Sequence, residues 1–282
     1  MSIDYSNKNL QKESFKNALL INADFSYSDV RGADFSGADL TGTNFTRVST
    51  GIRPANAILL FFAALMLSLL AGYLAMLVAR SINALLVSTD LNLRIIGIVS
   101  IVLNVSFILY AYFKGGGKAI RQLVIPAFVF TLVNGIVAYL LGLGTGLGMF
   151  YVLLSFFLLV IMLILGTTAR TVAGTLSNIF FLVVAVSGGL FSKSLGGGIG
   201  TMIMAIACAL ISKKALSGAK GFDFLKKIAF FIIREFGTSF RNSKLTGANF
   251  FHAKIQNADF TGADLASANW SDSKKINCIE GE

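Results

Sequence analysis

The chain has 282 residues, 55% of them hydrophobic, with 24 basic and 14 acidic side chains for a net charge of +10. Mean hydropathy is +0.74, too high for a domain with an ordinary water-facing surface. One histidine and two cysteines exclude a multi-histidine metal site and a disulfide framework, and leave a Ser-His-Asp triad little to work with.

The first fifty residues keep a beat of five. Tyr5, Leu10, Phe15, Leu20, Phe25, Val30, Phe35, Leu40 and Phe45 are its centres, and each is apolar. Two residues before a centre stands a small side chain, such as Ala18, Ala23, Ala33, Ala38 or Thr43. Between the two lies a polar residue, often Asp24, Asp29, Asp34, Asp39 or Asn44, and after the centre come Ser, Thr and Gly. Five matches neither the 3.6-residue helical period nor the two-residue strand period. It suits a chain that turns one corner per unit, with a large and a small side chain filling a narrow interior and polar residues outside. Apolar residues at every fifth place argue against a disordered tail.

From residue 57 the composition changes. Residues 57–79 carry no charge and are long enough to cross a hydrocarbon core of about 30 Å. Further spans are expected at 95–113, 123–142, 147–166, 172–191 and 196–212, about six in all, within a transmembrane domain at 54–212. Merging the glycine-rich parts into re-entrant segments gives four spans instead. Because the first span begins after residue 50, no amino-terminal secretory signal is expected. Basic residues concentrate at Arg47 and Arg53, at Lys114, Lys118 and Arg121, at Arg170, and from Lys213 to Lys227. By the positive-inside bias this places both termini on the cytoplasmic side of the membrane. Residues 51–237 hold fourteen basic and three acidic side chains, whereas the two ends are near neutral. The excess charge therefore orients the chain in a bilayer, and a nucleic-acid partner is not expected.

Few polar groups interrupt the spans. Asn104, Asn134 and Asn178 are read as helix-packing groups or as the lining of a narrow pore, and Gly144 and Gly198 as close-packing or helix-breaking glycines. The stretch 213–237 is expected to form an amphipathic linker helix in the headgroup layer. The beat then returns over 238–275, with centres Phe240, Leu245, Phe250, Ile255, Phe260, Leu265 and Trp270, before a short tail at 276–282.

The units Ala33-Asp34-Phe35-Ser36-Gly37-Ala38-Asp39-Leu40-Thr41-Gly42 and Ala258-Asp259-Phe260-Thr261-Gly262-Ala263-Asp264-Leu265 resemble those of the pentapeptide-repeat family. The resemblance covers about ninety residues in the two ends. It implies a right-handed, four-sided β-helix with four units per coil and coils about 4.8 Å apart. The order of repeat, multi-span domain and repeat is also similar to a group of cyanobacterial membrane pentapeptide-repeat proteins. That likeness implies architecture and a bacterial inner or thylakoid membrane, and no activity. Some family members mimic acidic DNA, but the near-neutral ends of this chain do not fit that role.

Nine units at 1–50 and seven at 238–275 each make too thin a solenoid, whereas together they supply four coils. Stacking into one composite solenoid is expected, with two separate solenoids or pairing between subunits as the alternatives. No paired carboxylates, phosphate loop, dinucleotide fingerprint or metal spacing is found, so no catalytic residue, cofactor or metal is assigned. The expected function is a non-enzymatic, membrane-anchored scaffold whose partners are the lipid bilayer and a cytoplasmic or membrane protein. The alternative is a channel or transporter with the repeats as a cytoplasmic platform or plug. Assembly into a homo-oligomer stays open.

Overall fold

Five-residue steps become corners in the structure, a computed structural model that describes residues 3–142, 146–173, 195–216 and 219–280 with scattered positions between 173 and 195. The chain divides into two units, one of Met1–Leu59 with Ala229–Glu282 and one of Leu60–Ile228.

In the first unit an Asp or Asn before a centre caps its own corner. Asp24 Oδ1 accepts from the Ser26 N–H at 2.8 Å, Asp34 Oδ1 from Ser36 N–H at 2.9 Å, and Asp259 Oδ1 from Thr261 N–H at 3.0 Å. The N–H of each small residue returns to the carbonyl of the preceding centre, as in Ala33 to Val30 at 3.0 Å. Two residues after each centre the backbone takes a positive φ. Asn7, Asn17 and Asn22 fill that place at 53°, 55° and 56°, and Gly37 at 71°. A left-handed conformation costs an ordinary side chain about 1–2 kcal/mol, which accounts for Gly and Asn at this place in the unit.

Parallel bridges join residues twenty apart: Asp4 with Asp24, Asn9 with Asp29, Ser14 with Asp34, and Leu19 with Asp39. Four units therefore make one tier. After two tiers the partner changes to the far end of the chain. Asp34 bridges Ser239, Asp39 bridges Lys244, Asn44 bridges Asn249 and Ser49 bridges Lys254. Backbone bonds cross with the same geometry, from Phe35 N to Ser239 O and Phe45 N to Asn249 O at 2.7 Å, and from Leu40 N to Lys244 O at 2.8 Å. In the third tier two sides come from Asn44 and Ser49 and two from Ser239 and Lys244. The regular strands are short and lie in the second run: β1 (Thr238–Ser239), β2 (Lys254–Gln256), β3 (Ala258–Phe260), β4 (Lys274–Ile276) and β5 (Ile279–Glu280). They pair in parallel as β1-β3-β5 and β2-β4.

Aromatic centres stack through these tiers in two columns. Tyr5, Phe25, Phe45, Phe250 and Trp270 have successive ring centroids 4.8, 5.3, 4.9 and 4.3 Å apart. Phe15, Phe35, Phe240 and Phe260 follow at 4.9, 5.1 and 5.0 Å. Spacing near the strand-to-strand distance lets ring stack on ring, and neighbouring columns meet edge to face, as Phe25 does with Phe35.

The second unit is helical: α1 (Pro54–Leu86), α2 (Leu91–Lys114), α3 (Gly116–Leu140, with a π-helical turn at Ile120–Val124), α4 (Gly146–Ala173) and α5 (Leu195–Leu216). A final helix, α6 (Asp223–Phe236), leads into the second run. Four of these, α1 to α4, are long and apolar enough to cross a membrane among the described residues. Four of the six expected spans are found among the described residues. The expected span at 172–191 lies largely outside the described residues, and that at 196–212 falls on α5, whose first side chains also lie outside them. Asp90 caps α2 by accepting from Asn92 N–H at 2.8 Å. Small residues let the helices approach: a Cβ on Gly148 of α4 would meet Ile96 and Leu93 of α2 at 2.8 Å. Outward residues such as Phe62, Met66, Val102 and Phe130 are more than half exposed, so the helices are apolar all round.

Because the Phe250 ring is wholly buried between two stacked rings, Phe250→Ala should cost about 3–5 kcal/mol in denaturant or thermal unfolding of the repeat unit. Phe35→Asp should abolish folding, because a carboxylate there has neither water nor a partner. Asp34→Asn keeps the corner acceptor and should shift the midpoint little.

Candidate functional site: the join between the two repeat runs

All sixteen centre residues meet in one core. Leu10, Leu20, Phe25, Val30, Phe35, Leu40 and Phe45 from the first run are buried with Phe240, Leu245, Phe250, Ile255 and Phe260 from the second. Tyr5, Phe15, Leu265 and Trp270, in the end tiers, are partly buried against them.

The third tier holds a cut. The chain leaves after Thr50-Gly51 and returns at Gly237-Thr238, so one corner has no continuous backbone. Side chains tie the two loose ends together. Gly51 N–H donates to Thr238 Oγ1 at 2.9 Å, and that hydroxyl donates to Val30 O in the tier above at 2.9 Å. Thr50 Oγ1 donates to Gln256 O at 3.1 Å and accepts from Gln256 N–H at 3.0 Å. Gly51 has φ 127°, and a Cβ there would meet Gln256 O at 2.9 Å, so this end admits only glycine without strain.

Charge gathers one step further on. The Asp259 carboxylate is fully buried, with Oδ2 3.3 Å from Arg234 Nε and 3.8 Å from Arg241 Nε, both arginines about half exposed. Neither contact has hydrogen-bond geometry, so Oδ2 is held by charge. Removing one partner from a buried pair is costlier than removing a surface pair, since a charge is left without compensation.

Other carboxylates on the outer faces are held below their ordinary pKa. The Ser6 backbone N–H lowers Asp4, and the Thr41 hydroxyl, aided by Lys244, lowers Asp39. The Ala266 N–H and Thr246 hydroxyl lower Asp264. Burial pushes Asp29 up, but hydrogen bonds from Arg31 and Gln11 outweigh it. One face carries a ladder of side chains across the join: Asn44 Nδ2 to Asp24 Oδ1 at 3.0 Å, Asn249 Nδ2 to Thr46 Oγ1 at 3.2 Å, and Asn269 Nδ2 to Asn249 Oδ1 at 2.9 Å.

The polar residues singled out in the spans separate. Asn104 of α2 is buried, and among the described residues neither its Nδ2 nor its Oδ1 has a hydrogen-bond partner. One turn earlier, Ser100 shares a hydrogen bond with Ser155 of α4 at 2.9 Å. Asn134 bonds its own helix, donating to Phe130 O at 2.7 Å. Gly198 lies in α5, while Gly144 and Asn178 lie outside the described residues. His252 Nε2 stands 3.9 Å from Asp272 Oδ2 on an open surface. No three His, Cys, Asp or Glu side chains converge as a metal group among the described residues.

The sequence reading missed the stitched corner and the Arg234–Asp259–Arg241 group. Thr238 does occupy the small-residue place two before Phe240, which puts it on the beat. Nothing in the spacing says which side of which tier it re-enters.

Thr238→Val keeps the shape and removes the hydroxyl that links Gly51 and Val30, so it should cost about 1–3 kcal/mol, with Thr238→Ser close to wild type in the same melt. The lowered carboxylates contribute stability that is present above the unfolded value of about 3.9 and is lost as pH falls through their folded values. The melting temperature of the repeat unit should therefore be flat from pH 7 to about 5 and fall below about pH 4.

Residues 9–49 and 237–272 match the family model for pentapeptide repeats in eight copies, ending and resuming at the cut corner. No curated protein and no solved structure matches the chain. With one inward centre every five residues, four corners per tier and this match, the two repeat runs of the chain belong to the pentapeptide-repeat family.

Proposed function

We propose that the chain is a non-enzymatic integral membrane protein whose two repeat runs form one composite, right-handed β-helix that serves as a cytoplasmic scaffold for a protein partner. The observation that carries this reading is the run of bridges from Asp34, Asp39, Asn44 and Ser49 to Ser239, Lys244, Asn249 and Lys254. A two-tier solenoid alone leaves most of its core at an open end, and sharing a tier removes that exposure. If both ends of the helical stretch meet at one corner, that stretch crosses the bilayer an even number of times. The basic residues flanking the expected spans put that corner on the cytoplasmic side. Flat faces with fixed side-chain ladders suit recognition of a partner, which needs no catalytic group.

A channel or transporter is the second reading, and Asn104 favours it. A buried amide with no partner in an apolar helix is costly, and a polar path through the helices would satisfy it.

Ser36 and Ser239 bring their hydroxyl oxygens within 2.8 Å, so the Ser36→Cys/Ser239→Cys pair tests the composite. Mild oxidation should give a cross-link within single chains, whereas cross-linked dimers alone would point to exchange between subunits. Ion flux in proteoliposomes then separates the two functions. Flux abolished by Asn104→Leu would favour transport. Silent vesicles, with a co-purifying partner lost on Asn249→Lys, would favour the scaffold.

A further inference from the structure

The helical unit contains a cleft of about 400 Å³ at the turn between α2 and α3. Four cations line it: Lys114 at the end of α2, Lys118 and Arg121 at the start of α3, and Lys220 in the loop before α6. One carboxylate, Asp223, faces them, and none of the four cations forms an ion pair among the described residues. Gathering like charges in one concavity raises the electrostatic energy of the fold unless an anion joins them.

The walls are held in place. Gly115 and Gly221, at φ 93° and 92°, press backbone to backbone, and a Cβ on Gly115 would lie 2.6 Å from Gly221 Cα. This contact brings Lys220 to the other three cations, and only glycine permits it. Gly117, in the lining, has open space where a side chain would stand, so it presents backbone to the cleft. The π-helical turn Ile120–Val124 holds Arg121 and Gln122. The Tyr110 hydroxyl donates to Gln122 Oε1, which leaves the Gln122 amide N–H groups as donors at the rim. Cations, backbone and amide donors are the groups that recognise phosphate oxygens.

We propose that this cleft binds a phosphate group carrying net negative charge. Two sources share that chemistry: the headgroup of an anionic phospholipid and free inorganic phosphate. The cleft lies beside apolar surface, with exposed Phe113 next to Lys114 and exposed Ile125 and Phe128 just beyond Arg121. An acyl chain has a path along α3 from there, which favours the lipid. Only this lipid arm rests on the reading of α2 and α3 as membrane spans.

The full chain is reconstituted in nanodiscs of neutral lipid doped with phosphatidylglycerol, and the lipid retained after extraction is counted by native mass spectrometry. Retention should fall about 25-fold in Lys118→Ala/Arg121→Ala, at roughly fivefold per cation. Lys220→Gln, from the opposite wall and outside any helix, should lower it severalfold and guards against a folding defect in the double variant. Lys227→Ala, exposed on α6 and outside the cleft, should leave it unchanged. With the full chain in mild detergent and no disc, titrated inorganic phosphate that quenches a probe at the cleft of wild type, and not of the variants, would identify free phosphate as the occupant. Retention unaltered by the cleft variants, or lowered equally by Lys227→Ala, together with no phosphate response, overturns the site. A chain that does not span membranes would still answer in the phosphate arm.

Discussion

The constraint on which the rest depends is the parallel backbone pairing that carries one tier across the cut in the chain. Asp34 and Ser239 must stand one strand spacing apart for the hydrogen bonds from Phe35 to Ser239 and from Leu40 to Lys244 to form. Everything inside follows from that spacing. Phe35 stacks on Phe240 and Phe45 on Phe250 at nearly the distances found within a single run. A ring has no alternative place to go in so narrow an interior. The chain treats the join as an ordinary step, with the cut corner tied by hydroxyls rather than by continuous backbone.

Energy in the repeat unit is spread over many small and repeated terms. Each tier contributes a few buried rings and aliphatic side chains, up to four corner caps and up to four sets of parallel bonds. Against these stand the left-handed residues. Lys12, Tyr27, Arg47 and His252 take positive φ where Gly or Asn would be cheaper. Some recover part of that cost locally: the Arg47 guanidinium lies 5.5 Å from the Tyr27 ring centroid. The end tiers are less buried than the middle, as expected of a stack whose neighbours supply its core.

The helical unit follows different rules. Its helices are apolar outside as well as inside, so burial cannot distinguish core from lipid-facing surface, and small residues mark the close approaches. Polar groups are correspondingly few and informative. Ser100 and Ser155 satisfy each other between helices, while both amide atoms of Asn104 are unpaired among the described residues. At the turn between α2 and α3 the cations Lys114, Lys118, Arg121 and Lys220 come together.

The sequence by itself determined the repeat unit almost completely. A strict beat names the inward residue, the small residue beside it and the corner residues, because each place in a five-residue step has only one steric and polar solution. Four apolar helices were equally legible, since length and absence of charge are properties of a segment and need no partner. The pairing between Ser239 and Asp34 was not readable, because every tier offers the same apolar and hydrogen-bonding pattern and the local signal is blind to which copy it meets. Nor were the ties of Thr50, Gly51 and Thr238, the three-way meeting of Arg234, Asp259 and Arg241, or the Gly115–Gly221 contact. These join residues that lie close in sequence to nothing they touch, and only the tertiary structure decides such encounters, because chain connectivity sets no distance between them.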